Sequence, residues 1–369
     1  MYRSSKLAMA ASLIGAAALL STSAGLAHAG TNDPLSGDQW GLKQVHAEHA
    51  WATSTGRGAV VAVVDTGVDL THPDLKSNLV AGATFTGCPT TGQPCGNGDF
   101  RGPDGQNNGD EHGTHVAGIV AAVANNGTGV AGVAPNAKIM PVKVLEDGSG
   151  TFEDIAAGIR WSANHGADVI NMSLGGLAGT QVITLTGLES SVTEAIKYAN
   201  AHGTSVIVAA GNSATAVCNT PAWEPGAICV ASTDRNELKS WFSELPNKPD
   251  LKAVAAPGGA GLTSCKDDIV STVPVGTGSA SCGQKDYDYY AGTSMATPHV
   301  AGVAALLFAQ GRTLANVEDA LLETARQPGT GMTGVYSPAY GWGIADAAAA
   351  VKYAGAAAGK SRKSGTEKR

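Results

Sequence analysis

A chain of 369 residues that is 43% hydrophobic has length for one large domain or two small ones, and its formal net charge of −7 argues against nucleic acid as a partner. A basic run hides part of the imbalance, because residues 360–369 hold five Lys/Arg against one Glu. Without that run and the first thirty residues the body stands at about −13.

The chain opens with a targeting segment. Arg3 and Lys6 precede an uncharged apolar run over 7–20, and Ala27-His28-Ala29 is a small-x-small cleavage site. The run is shorter than the ~20 residues that span a bilayer, and no second apolar span follows. A signal peptide over 1–29 is therefore expected, with an extracellular, secreted product and no stable membrane anchor. No twin arginine is present, which points to the general secretory route. The body, 30–358, offers no linker that would divide it. The tail, 359–369, is expected to be disordered.

Within the body, strand-like and helix-like segments alternate, the pattern of an α/β fold with a mostly parallel central sheet and helices on both faces. Residues 59–64 form a continuous run, apolar on both faces, that reads as a buried strand ending at Asp65. A second strand is expected over 139–145, with Pro141 placing it at an edge or a bulge. A helix over 151–165 starts at a Thr151/Asp154 capping pair and stops at Gly166. Strand 167–174, helix 189–202, and strands 204–210 and 227–232 follow. Residues 294–310 make a helix so small and apolar that it belongs in the interior, with Pro298 in its first turns. Helices over 314–325, behind Thr313, and over 344–354 complete the order. The tryptophans are scattered and read as core or rim packing rather than a binding stripe.

Six cysteines lie after the targeting segment, as the close neighbours Cys88 and Cys95, Cys218 and Cys229, and Cys265 and Cys282. In an exported chain an even number reads as disulfides, for which sequence alone allows 15 connectivities. Neighbour pairing is the expectation, because each pair brackets a Gly/Pro-rich loop. No Cys-x-x-Cys spacing favours zinc.

Three segments carry the chemistry. Val63-Val64-Asp65-Thr66-Gly67 sets an acid at a strand end. His112-Gly113-Thr114-His115 sets a histidine just before a helix of small residues, and Gly292-Thr293-Ser294-Met295-Ala296-Thr297-Pro298-His299 sets a serine at a helix start. A serine hydroxyl needs a base, histidine serves near neutral pH, and a carboxylate fixes the imidazole tautomer. Singly, each has a plain reading as a turn, a cap residue or an ordinary N-cap. Together, in the order Asp, His, Ser, they specify a catalytic triad of Asp65, His112 and Ser294. Asn212, after another buried strand, is placed to offer its side-chain amide to an oxyanion. His112 and His115 as metal ligands lack a His-Glu-x-x-His pattern and a third partner.

On these motifs the chain resembles the subtilisin-like serine proteases over about 33–351. The resemblance implies a three-layer α/β/α fold and endopeptidase activity through an acyl-enzyme on Ser294. It implies that Gly148, Ser149, Gly150, Ser173, Leu174 and Gly175 flank an extended peptide, with Ala210 and Gly211 lining the pocket before the scissile bond. Substrates would be extended peptides or unfolded proteins, and the enzyme a monomer.

The resemblance also implies a structural Ca²⁺, held by Asp33, Asp74, the Asn126 side chain and the carbonyls of Val123, Thr128 and Val130. Such an all-oxygen set suits that ion. In two respects the chain departs from the family. Secreted members carry a folding pro-segment, whereas here the family-like start at 33–40 follows the cleavage site at once. The stretch from Asp65 to His112 is also long, and a loop pinned by Cys88 and Cys95 is expected to narrow access to the site. The rival class is a secreted, non-catalytic binding or scaffold protein that keeps the fold.

Overall fold

The computed structural model describes residues 30–355, apart from 107–108, 176–189, 249–251, 263 and 280–281. The expected signal peptide and the tail over 359–369 lie outside the described residues. A seven-stranded sheet organises the chain: β1 (Val60–Asp65), β2 (Ala83–Thr84), β3 (Lys138–Lys143), β4 (Val169–Met172), β5 (Ser205–Ala209), β6 (Ala227–Thr233) and β7 (Ala253–Pro257). Their order is β2-β3-β1-β4-β5-β6-β7, and every pairing is parallel. After β1 the chain builds toward one edge, then crosses to the other side of β1. That switch point opens a crevice at the carboxyl ends, where Asp65 is the last residue of β1.

Alternation within the strands explains why both faces are apolar. Val61, Val63, Ile139, Val169, Ile207 and Val230 enter one core. Their neighbours Ala62, Val64, Met140, Ile170, Val208 and Cys229 enter the other. The first core lies against α3 (His112–Ala121) and α6 (Thr293–Phe308), with the short α1 (Trp40–Gln44) and α2 (Ala47–Ala50), α7 (Leu314–Thr324) and α8 (Ala347–Ala350) around them. The second is covered by α4 (Phe152–Asn164) and α5 (Ser191–Ala201). Strands buried on both sides need the continuous apolar runs seen in the sequence. α6 is buried along nearly its whole length and packs across β4 to β7.

Four features differ from the sequence reading. β3 is one strand in from the edge and runs in unbroken register with β1, so Pro141 marks neither an edge nor a bulge. Ile139 sends its N–H outward to Asn78 while Lys138 and Val144 send theirs to the β1 side. By that parity the missing Pro141 donor faces the outer flank, where two-residue β2 reaches only Val142 and Lys143. β7, of sequence AVAAP, has too little β-branched character to stand out, yet it pairs with β6 over five residues. The antiparallel pair β8 (Ile269–Thr272) and β9 (Tyr287–Tyr290) forms a separate two-stranded sheet that the sequence pattern does not announce. The expected helix over 344–354 shrinks to α8, because Ile344 bridges to Ala255 and Arg326 and Asp346 caps the helix through Ala349 N–H.

The cysteines pair as neighbours: Cys88–Cys95, Cys218–Cys229 and Cys265–Cys282. The first loop is tied to the start of α4, where Gly92 N–H donates to Asp154 Oδ1 at 2.8 Å.

Candidate active site

Burial and hydrogen bonding converge on the end of β1. Asp65 is 0% exposed, and its Oδ1 is 2.7 Å from His112 Nδ1 while also accepting the Thr66 N–H at 2.7 Å. Its Oδ2 is buried without a hydrogen-bond partner among the described residues, so the imidazole carries most of the compensation for that carboxylate. A carboxylate facing Nδ1 demands that this nitrogen carry the proton, which leaves Nε2 as the basic atom. Burial, the largest single influence, pulls the His112 pKa down; the Asp65 charge and hydrogen bond outweigh it and hold the pKa above the ordinary histidine value. His115 and His299 behind it are driven down by burial, to about 3 and about 4, and stay neutral.

Ser294 is the second residue of α6 and exchanges bonds with Ser173. Its Oγ donates to the Ser173 carbonyl at 3.2 Å, and the Ser173 hydroxyl donates to the Ser294 carbonyl at 2.8 Å. Pro298 explains the second bond. It is the sixth residue of the helix, past the free first turn, and lacks the N–H that would have served Ser294. Ser294 Oγ makes no bond to His112 among the described residues, but both side chains line one cleft of about 740 Å³. Catalytic hydrogen bonds in unliganded enzymes are often loose and tighten only around substrate.

Asn212 is oriented by Thr293. Its Oδ1 accepts from Thr293 N–H at 2.9 Å and from Thr293 Oγ1 at 3.0 Å. With the carbonyl so used, its NH₂ remains as the donor beside the start of α6. The helix dipole favours negative charge there.

Gly148, Ser149, Gly150, Ser173, Leu174 and Gly175 all line the cleft. Gly148 and Ser149 belong to a tight turn, with Gly150 just after it, in which Glu146 and Ser149 exchange backbone bonds, and Asp147 and Gly148 take φ of 48° and 69°, as such a turn demands. Ala210 and Gly211 lie outside that lining. Ala210 is fully buried, and Gly211 donates its N–H to Thr293 Oγ1 at 3.2 Å. Sequence reasoning missed Leu145, Phe152, Ile155, Val192 and Pro221, which give the cleft its apolar wall. No local signal separates such residues from the core.

The implied calcium ligands gather around the loop over 123–130. Asp33 and Asp74 are 2% and 0% exposed. Asp33 accepts the N–H groups of Asn125, Asn126 and Gly127; Asp74 accepts Val130 N–H and Asn126 Nδ2. Burial, with Asp33 nearby, pushes Asp74 up to about 6. Neither carboxylate meets a Lys or Arg among the described residues, and the Val123, Thr128 and Val130 carbonyls accept no bond there. Among the described residues no group of three His, Cys, Asp or Glu side chains is placed to hold a metal. The donors are instead two carboxylates plus carbonyls, and buried negative charge beside free carbonyl oxygens is a set that fits Ca²⁺.

The chain is similar to known proteases over most of its length. A family model described as the subtilase family matches residues 56–343. Thermitase of Thermoactinomyces vulgaris is 43% identical over 303 residues, covering 81% of this chain and 93% of the relative. An extracellular protease of Xanthomonas campestris pv. campestris is 38% identical over 355 residues, covering 87% of this chain and 56% of its own. Among solved structures, a protease of Pseudoalteromonas arctica superposes with a TM-score of 0.72 at 37% identity, covering 88% of this chain and 99% of that one.

Proposed function

Because the chain belongs to the subtilase family and is a serine-type endopeptidase, we propose that it cuts peptide bonds through an acyl-enzyme on Ser294, with Asp65 and His112 as the other triad members. The observation that carries this is the 2.7 Å bond between His112 and the fully buried Asp65, beside the cleft that His112 and Ser294 both line. Substrate would lie extended along 148–150 and 173–175, its backbone hydrogen-bonding as an added strand. Ser294 Oγ then attacks the carbonyl carbon while His112 Nε2 takes the hydroxyl proton. Negative charge develops on the carbonyl oxygen, met by the Asn212 amide and the Ser294 N–H. Collapse breaks the C–N bond, and His112 passes its proton to the leaving amine. Water repeats the sequence and frees Ser294.

Asp33, Asp74, Asn126 and the three loop carbonyls would hold Ca²⁺, which would neutralise two buried carboxylates and brace the loop and the amino-terminal segment. Residues 1–29 act as a signal peptide in this reading, and the product is extracellular and monomeric.

A fluorophosphonate probe tests the assignment. The folded protein with calcium is expected to take one label per chain, lost in Ser294→Ala. Labelling that persists in that variant would move the nucleophile elsewhere, and no labelling at all would favour a non-catalytic scaffold.

A further inference from the structure

A lysine with no exposed surface sits beneath the catalytic end of the sheet, and the steps above make no use of it. Lys143 closes β3, and its side chain is 0% exposed. Its ammonium donates to Asp110 Oδ2 at 2.5 Å, to the Thr66 carbonyl at 2.9 Å and to the Leu145 carbonyl at 2.9 Å. An ammonium has three protons, so its capacity is filled.

Each acceptor leads to a different part of the site. Thr66 follows Asp65, and its hydroxyl accepts the N–H of Gly113, the residue after His112, at 2.9 Å. Asp110 lies two residues before His112, and its Oδ1 accepts the Asp147 N–H at 2.8 Å, in the turn that presents residues 148–150. Leu145 lines the cleft itself. One buried cation thereby touches the flanks of the triad acid, the triad base and the substrate-binding turn.

Packing alone does not explain that choice. Buried ion pairs contribute little net stability compared with apolar side chains of similar volume, so their presence needs another reason. We propose that Lys143 is a positioning residue that fixes the triad and the substrate-binding turn as one unit, so that binding along residues 148–150 is transmitted to Asp65 and His112. The proposal rests on the triad reading above.

The test compares kcat and KM for a long peptide anilide that fills the cleft and a short one lacking the upstream residues, with active sites counted by fluorophosphonate titration. Lys143→Met removes the tie but strands Asp110, so Lys143→Met/Asp110→Asn, which removes both charges, is measured beside it. The expected result in the labelled double variant is a kcat loss of about tenfold or more on the long substrate, with KM within about threefold and a clearly smaller loss on the short one. Remote binding would then no longer reach the chemistry. Equal losses on both substrates, an unchanged kcat, or a double variant that yields no labelled protein would each reduce Lys143 to a structural role. Wild-type protein that takes no label is a different failure, since it removes the triad reading and this proposal with it.

Discussion

The catalytic end of the sheet and the loop over 123–130 both bury carboxylates, but they compensate them differently. At the catalytic end Asp65 and Asp110 each meet a basic side chain of the chain itself: Asp65 meets His112, beside the Thr66 N–H, and Asp110 meets Lys143, beside the Asp147 N–H. Around the loop, Asp33 and Asp74 meet only neutral donors among the described residues. Burial, with the Asp33 charge nearby, lifts the Asp74 pKa, and no Lys or Arg among the described residues opposes it. Basic side chains meet the carboxylates of the first region, whereas the second is the donor set proposed above for Ca²⁺. Changes at the first should therefore alter rate at constant stability, and changes at the second should alter stability first.

The widest separation comes from Ser294→Ala. Its hydroxyl is half-buried and holds one long bond to Ser173, so the melting temperature is expected to move by only about a degree. The kcat is expected to fall by about 10⁶-fold, the size of loss known for a subtilisin without its nucleophile. Calorimetry beside a peptide-hydrolysis assay reads both. A large drop in melting temperature would show that the catalytic end is not separable from the fold. Asn212→Ala ranks next, with kcat lower by about 10²–10³-fold, as a subtilisin loses on removal of its oxyanion amide, and KM little changed. A loss confined to KM would remove Asn212 from the oxyanion site.

Much of the catalytic end was legible in the sequence because its chemistry is concentrated in short segments. The Asp65, His112 and Ser294 motifs each place a reactive residue at the start or end of an element, and the β-branched run before Asp65 announces its strand. The six cysteines were legible for a related reason, since short spacing favours neighbours. β7 was not, because an alanine-rich strand becomes a strand only through its pairing with β6. The apolar cleft wall was hidden for the opposite reason, since Phe152 and Val192 look like core from sequence alone. Lys143 did leave a trace: a charge inside a strand whose neighbours are apolar on both faces must be paired or exposed. Pro298 looks harmless in the sequence, and only the structure reveals that it strips Ser294 of a helical donor that Ser173 replaces.

Calcium removal should act on the other region. Ligand binding at about 100 times Kd stabilises by ~2.7 kcal/mol, and a domain this large shifts by ~2–4 °C per kcal/mol. Chelation is therefore expected to lower the melting temperature by about 5–10 °C, measured on Ser294→Ala so that self-digestion does not intrude. Asp74→Ala should melt near the chelated value and ignore the chelator. An identical melting point with and without chelator would end the calcium assignment, and the two regions would no longer differ in kind.

The smallest expected effect concerns pH, and its sign follows from His112. The imidazole must be neutral to accept the Ser294 proton, and its pKa is held above the ordinary value by Asp65 against the pull of burial. Activity should rise with pH through a midpoint above about 6.5. Stability runs the other way. A histidine whose folded pKa is raised adds stability that is fully present below the unfolded pKa and is lost as pH rises through the folded one. Across that window hydrolysis should therefore climb while the melting temperature of the calcium-loaded Ser294→Ala protein declines slightly. In Asp65→Asn burial remains without the opposing charge, so the midpoint of the residual activity should drop below the ordinary histidine value. A midpoint that stays where it was would mean that Asp65 does not set the charge of His112.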